Sequence, residues 1–232
     1  MNILAIDTSG PVAGVALMQR GVITHEIMAS HGLTHSETSM PMVDDVLHAA
    51  NLSPEQVDLL AVVAGPGSFT GVRIGVCAAK GLAHAWNRPV VPVNSLEALS
   101  AGAYGFHGVI CPILDARRSQ VYCAAYRFEE GELPEAVLPM QAIALDDFLA
   151  QLPKEEKLLF LGDGLKVHFP RVRELLGDRA LAAPAPQAFL RASCACLIAE
   201  KRQSEAVACH ALEPIYLRLS QAERERKAKE GQ

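Results

Sequence analysis

A few stretches of the sequence carry residue types that could do chemistry. The stretch "GPGSFTGVRIG", Gly65 to Gly75, concentrates glycines, hydroxyls and one arginine ahead of an alanine-rich apolar run. Two short apolar runs end in an acid, Asp7 in "AIDTSG" and Asp115 in "DARRS". His31 and His35 lie four apart, and Cys194, Cys196 and His210 can be drawn as a ligand set. A phosphate loop of the Walker type needs a lysine directly after its second glycine, and here Val72 follows Gly71. A nucleophile elbow needs glycine two residues either side of the serine, and Ser68 has Pro66 and Thr70 there.

What remains for Gly65 to Gly75 is packing. Thr70 is placed to cap a helix on which Gly71, Gly75, Ala79 and Ala83 follow at four-residue steps, leaving one face almost without side chains. An interior glycine costs about 1 kcal/mol relative to alanine. With Gly75 and Gly81 both interior, the spacing predicts a second helix lying unusually close. Spacing alone fits a contact inside the same lobe as well as one with another molecule. Arg73 and Lys80 exclude a membrane as the partner medium.

The other clusters read more plainly. Gly32 separates His31 from the helix that begins near Thr34, so His31 and His35 need not share a face and read as surface or interface histidines, with no metal expected. Cys194 and Cys196 stand two apart, which splays them on a helix. The six cysteines, without a C-x-x-C pair, read as buried reduced thiols. Asp44 and Asp45 read as the solvated side of a helix.

The elements that must position these residues repeat. "NILAID", "VAGVALMQ" and "VITHEIMAS" read as a strand meander turned by "RG". A helix follows, opened by the capping-box spacing of Thr34 and Glu37 and kinked or restarted by Pro41. Then come the strand "LLAVVAGPG", the helix "FTGVRIGVCAAKGLAHAW", the strand "PVVPVN" and the helix "SLEALSAGAY". The order then restarts with "GVICPILD", "QVYCAAYRF", a third extended segment and "LDDFLAQL", followed by "LLFLGDG" and a helix around "VRELL". From Asp7 to the turn glycine Gly21 is 14 residues, and from Asp115 to Gly131 is 16, so Asp7 and Asp115 occupy equivalent places. This predicts two like lobes, 1–106 and 107–218, with the last helix free to return to the first. Pro134 and Pro139 put the third strand of the second half at a sheet edge. The polar tail 219–232 reads as a frayed end.

Composition bounds the partners. Half of the 232 residues are hydrophobic and 20% are charged, as in an ordinary folded protein. The net charge of −5 offers no phosphate-backbone footprint, so strong direct binding of nucleic acid is not expected. No apolar run approaches the roughly 20 residues of a membrane span, and the start carries no secretory pattern, which points to the cytoplasm.

Taken together, "AIDTSG", "HSETSMPMVDDVL", "AGPGSFTGVRIG" and "DARRSQVY" make the chain resemble the bacterial TsaB (YeaZ) family. The likeness runs from residue 3 to about residue 126, and "GPGSFTGVRIG" is its specific signature. The resemblance implies a two-lobed, duplicated RNase-H-like α/β fold of the actin, Hsc70 and sugar kinase (ASKHA) type. It implies a non-catalytic subunit that supports TsaD in placing threonylcarbamoyl on adenosine 37 of transfer RNAs reading codons that start with A. A TsaE ATPase is a further implied partner, and the isolated subunit is implied to pair with itself as a homodimer.

The resemblance also shifts the bare helix face toward a subunit interface formed by Gly67, Ser68, Phe69, Thr70, Gly71, Arg73, Gly75 and Ala79, with His35, Met42 and Val46 from the preceding helix. On that reading Gly75→Leu leaves the monomer folded and abolishes assembly. Kinases of this fold place an acid and small or hydroxyl residues after the first strand of each lobe, a role open to Asp7, Thr8 and Ser9. In the second lobe Asp115 is followed by Ala116, Arg117 and Arg118 where glycines would let amides reach a phosphate. The expectation is a vestigial site that binds no nucleotide tightly on this chain alone, with ATP or ADP shared at an interface with partners left open. Arg117 and Arg118 fit a phosphate, a partner carboxylate or an internal pair with Asp115 or Glu97. A small sugar or acetate kinase and a peptidase stand as the alternative readings.

Overall fold

The computed structural model describes residues 1–30, 34–117 and 119–218, and the expectations for His31, Arg118 and the tail 219–232 lie outside the described residues. The first sheet opens with the antiparallel meander β1 (Asn2–Asp7), β2 (Ala13–Gln19) and β3 (Val22–Ala29). The turn between β2 and β3, Arg20-Gly21, has φ of 51° and 77°, the pairing that matches the twist of a tight hairpin. β4 (Leu59–Gly65) and β5 (Val90–Asn94) add in parallel, giving the order β3-β2-β1-β4-β5. The second sheet repeats this plan with β6 (Val109–Asp115), β7 (Gln120–Arg127), β8 (Glu135–Ala144), β9 (Leu158–Leu161) and β10 (Ala180–Ala182). Its order, β10-β9-β6-β7-β8, is the same sequence of strands, so the duplication read from the two acids is present in the topology. β8 stands at the edge, as Pro139 within it and Pro134 just before it lead one to expect.

Strand alternation sorts the core into layers. In the first lobe Leu4, Ile6, Val15, Leu17, Leu60 and Val62 face α1 (His35–Ala49) and α2 (Phe69–Trp86), while Ile3, Ala5, Ala16, Met18, Ala61 and Val63 face α6 (Ala192–Lys201). The chain therefore returns to the first sheet after the second is complete. In the second lobe α4 (Leu145–Gln151) and α5 (Leu165–Leu176) cover one face through Phe148 and Val172. α3 (Ser95–Ala101) covers the other through Leu96 and Leu99, while its Ala98 and Ala101 join the layer under α6. Glu97 on α3 pairs with Arg202 at the end of α6; burial raises its carboxyl and the guanidinium offsets part of that rise. The two lobes thus share a packed seam.

Two helix details correct the sequence reading. α1 does begin on the Thr34–Glu37 capping box, but it runs unbroken through Pro41, which lies on its exposed side where the missing backbone bond opens toward water. α2 is capped by Ser68 and not Thr70: the Ser68 hydroxyl accepts the Gly71 N–H at 3.2 Å.

The larger correction concerns the bare face of α2. Gly71, Gly75, Ala79 and Ala83 are all buried, and they face the ends of β1 and β4 in their own lobe. A Cβ on Gly71 would land on the Thr8 carbonyl oxygen, and one on Gly75 would lie 2.5 Å from Thr8 Oγ1. The Thr8 hydroxyl donates to the Gly71 carbonyl at 2.7 Å. The glycines recover their cost by seating the helix on a strand end rather than on another helix. Met42 and Val46 likewise point into this core. Gly71, Gly75, Ala79, Met42 and Val46 are therefore withdrawn from the expected partner surface, because the first sheet already covers them.

Burial pushes the Cys123 and Cys194 thiols up to about 12, and Cys196 donates weakly to the Ile3 and Ala16 carbonyls, so these cysteines pack as small apolar groups. Among the described residues no group of three or more His, Cys, Asp and Glu is disposed to hold a metal, and no helix is long and apolar enough to cross a membrane.

Candidate functional site

A cleft of about 980 Å³ opens between the lobes, where β1, β4, β6 and β9 all end. Asp7 and Asp115 close equivalent strands and adopt the same local turn. The Asp7 carboxylate accepts the Ser9 N–H at 2.8 Å, and the Asp115 carboxylate accepts the Arg117 N–H at 2.9 Å. The two sites then diverge in burial.

On the first-lobe side, Asp7, Thr8 and Ser9 are 2%, 1% and 3% exposed, and their polar groups are consumed internally. Besides the Thr8 and Ser9 bonds already given, the Ser9 carbonyl accepts the Ser68 N–H at 2.8 Å. Gly67 is glycine because a Cβ there would strike that same carbonyl. Burial pushes the Asp7 carboxyl up to about 6, against opposing hydrogen bonds from Ser9 and the charge of His35. His35 Nε2 donates to the Gly10 carbonyl at 2.8 Å, tying the first turn of α1 to this loop.

On the second-lobe side the loop is open and built from bulky residues. Arg117 and Ser119 sit at φ of 61° and 58°, left-handed conformations that glycine would adopt without strain. The Asp115 N–H donates to Asp163 at 3.1 Å, and burial raises the Asp163 carboxyl, with Asp115 close by adding to the rise. His168 Nε2 lies 3.5 Å from the Asp115 carboxylate. Gly162 and Gly164 of the "GDG" turn are required because a Cβ on either would press on the Ile113 carbonyl.

Sequence reasoning missed the third wall of the cleft. After α6 the chain runs back along the first lobe: Val207 bridges to Val90, and the Ile215 N–H donates to the Ala64 carbonyl at 2.7 Å. Gly65, at φ 116°, admits the Ile215 carbonyl where a Cβ would sit 2.6 Å from it. Tyr216 then stacks on Phe69 at 5.2 Å and accepts the Arg73 Nε–H at 2.8 Å, while Arg73 lies 3.8 Å over the Phe69 ring. Arg218 donates to the Ala116 carbonyl across the cleft at 3.3 Å. The only sequence signal for this wall was a tyrosine and an arginine in the extended run "LEPIYLRL".

The cleft therefore brings Gly67, Ser68, Phe69, Thr70, Arg73, His35, Asp115 and Arg117 to one mouth and leaves Asp7, Thr8 and Ser9 beneath it. A protein of Bacillus subtilis described as tRNA threonylcarbamoyladenosine biosynthesis protein TsaB is 39% identical over 96% of both chains. The chain belongs to the TsaB family. The solved structure of YeaZ from Pseudomonas aeruginosa superposes with a TM-score of 0.81 at 27% identity, covering 93% of this chain and 99% of that one. A family model described as TsaD, tRNA N6-adenosine threonylcarbamoyltransferase, matches residues 28–225, so this chain is similar to that family too over most of its length. A component of (R)-2-hydroxyglutaryl-CoA dehydratase from Acidaminococcus fermentans, at 12% identity and a TM-score of 0.50 over 88% of this chain and 99% of that one, shares the ASKHA-type fold alone.

Proposed function

We propose that this TsaB-family chain serves tRNA threonylcarbamoyladenosine biosynthesis as a non-catalytic subunit that binds a TsaD-type transferase and favours its competent conformation. The observation that carries this reading is the 39% identity to a protein named for that biosynthesis over nearly the whole of both chains. The cleft supports it chemically. A kinase of this fold would keep amides and hydroxyls free for phosphate at both strand ends, whereas here Thr8 and Ser9 spend theirs on the chain itself and the second loop carries arginine.

The partner surface on this reading is the exposed first turn of α2, Ser68, Thr70 and Arg73, with Gly67, Phe69 and His35 beside it. The TsaD model match includes α1 from His35 and the whole of α2, so a TsaD-type partner would offer related helices to this surface. A pairing of that kind is nearly two-fold, and the same surface suits a homodimer of the isolated chain. A TsaE-type ATPase, and a nucleotide shared with partners, belong to the same proposal.

Thr70→Arg tests the surface. The Thr70 side chain is exposed and makes no hydrogen bond among the described residues, so the variant should fold as wild type. An added buried charge at an interface should weaken binding to the TsaD-type transferase by about tenfold or more in a titration followed by calorimetry. Wild-type affinity in the variant would remove this turn from the interface.

A further inference from the structure

Three arginines and two aspartates line the cleft, a net positive lining in an acidic chain. Arg73, Arg117 and Arg218 line it, although the protein as a whole carries a net −5. Arg73 and Arg218 each spend one N–H on the bonds described above, out of five that a guanidinium offers. The Arg117 side chain makes no hydrogen bond or ion pair with any described residue. The carboxylates in the cleft are held at its second-lobe floor, Asp115 by the Arg117 N–H and Asp163 by the Asp115 N–H. Tyr122, on β7 beside Asp115, shares that side, and the stacked pair of Phe69 and Tyr216 stands opposite.

We propose that this cleft binds an acidic peptide segment, its carboxylates on the three guanidinium groups and an aromatic or apolar side chain against Phe69 and Tyr216. Guanidinium and carboxylate match as two forks and need no backbone nest. A nucleotide phosphate would want amides, and those of Ser9 and Ser68 are already bonded within the chain. A strand of RNA would bring a run of phosphates toward a surface whose charge outside the cleft is negative. The returning C-terminal segment also reads as a fixed wall. Ile215 is bonded to Ala64 and seated on Gly65, which holds Tyr216 and Arg218 in place before any ligand arrives and lowers the ordering cost of binding. Phe69 and Arg73 also belong to the surface proposed for the transferase, while Arg117 and Arg218, on which the test turns, lie outside it, so failure of this inference and failure of that reading are distinguishable.

The test is a titration of the full chain with a fluorescent peptide of glutamates around a single phenylalanine. Saturable binding is expected, weakened about tenfold by Arg117→Ala and again by Arg218→Ala, and weakened by salt. Arg117 is exposed, so its variant should melt at the wild-type temperature, which separates lost contact from lost fold. No saturable binding to wild type, or equal binding to wild type and both variants, overturns the proposal. Tighter binding of a single-stranded RNA of equal charge, with the same dependence on Arg117, overturns the assignment to a peptide.

Discussion

Gly75→Leu should strongly destabilise the first lobe rather than merely loosen a contact between chains. The helix α2 is seated on the end of β1 so closely that a Cβ at Gly75 would come within 2.5 Å of Thr8 Oγ1 and 3.6 Å of Val62. Leucine must either push the helix off the sheet or displace Thr8, which would break the buried Thr8 to Gly71 hydrogen bond. Overpacking of this kind costs typically 1 to 3 kcal/mol, and the lost bond adds about 1 more. A loss of about 3 kcal/mol or more is a large part of the stability of a domain. Urea unfolding followed by circular dichroism reads it as a lower midpoint. Gly81→Ala is the internal control, because Gly81 is exposed on the same helix with nothing within 4 Å of a Cβ, and it should gain roughly 0.5 to 1 kcal/mol. An unchanged midpoint for Gly75→Leu would mean that the stripe does face outward.

Asp7→Asn should stabilise the protein at neutral pH. Burial raises the Asp7 carboxyl from the ordinary 3.8 to about 6 in the folded protein. A raised folded value means that the folded state holds the proton more tightly than the unfolded chain. Its favourable contribution is therefore complete below about pH 4 and is lost as the pH rises through 6. At pH 7 the buried charge costs about 3 kcal/mol, from roughly two pH units at 1.36 kcal/mol each. Asparagine keeps the oxygen that accepts the Ser9 N–H and carries no charge to bury. The variant should gain stability of that order at pH 7 and flatten the wild-type fall in stability between pH 4 and 6. Equal stability of the two proteins at pH 7 would show that the charged carboxylate is solvated there.

Much of the architecture is legible in the chain because its strands are marked by chemistry as well as by period. Apolar runs that end in Asp7 and Asp115 announce the duplication, and Pro134 and Pro139 assign the edge strand. The four-residue spacing of Gly71, Gly75 and Ala79 is equally clear, but spacing names a face and not what covers it. A strand end and a neighbouring subunit select the same small residues, and here the sheet takes them. Ser68 and Thr70 are both competent caps two residues apart, and the choice falls to Ser68 because its N–H also anchors on the Ser9 carbonyl. The returning segment around Tyr216 is extended, carries no periodic signal, and finds its partners more than 140 residues away at Phe69 and Arg73. β10 is three residues long between a glycine-led turn and a proline-rich loop, too short for any pattern to mark.

The central claim is that this chain acts on a transferase rather than on a substrate. The most direct measurement reconstitutes threonylcarbamoylation of transfer RNA with a TsaD-type transferase from the same cell, its ATPase partner and threonylcarbamoyl-adenylate, with and without this chain. The account predicts product only when this chain and the transferase are both present, and the two proteins eluting together. Undiminished product without this chain, or product from this chain with no transferase added, would contradict it.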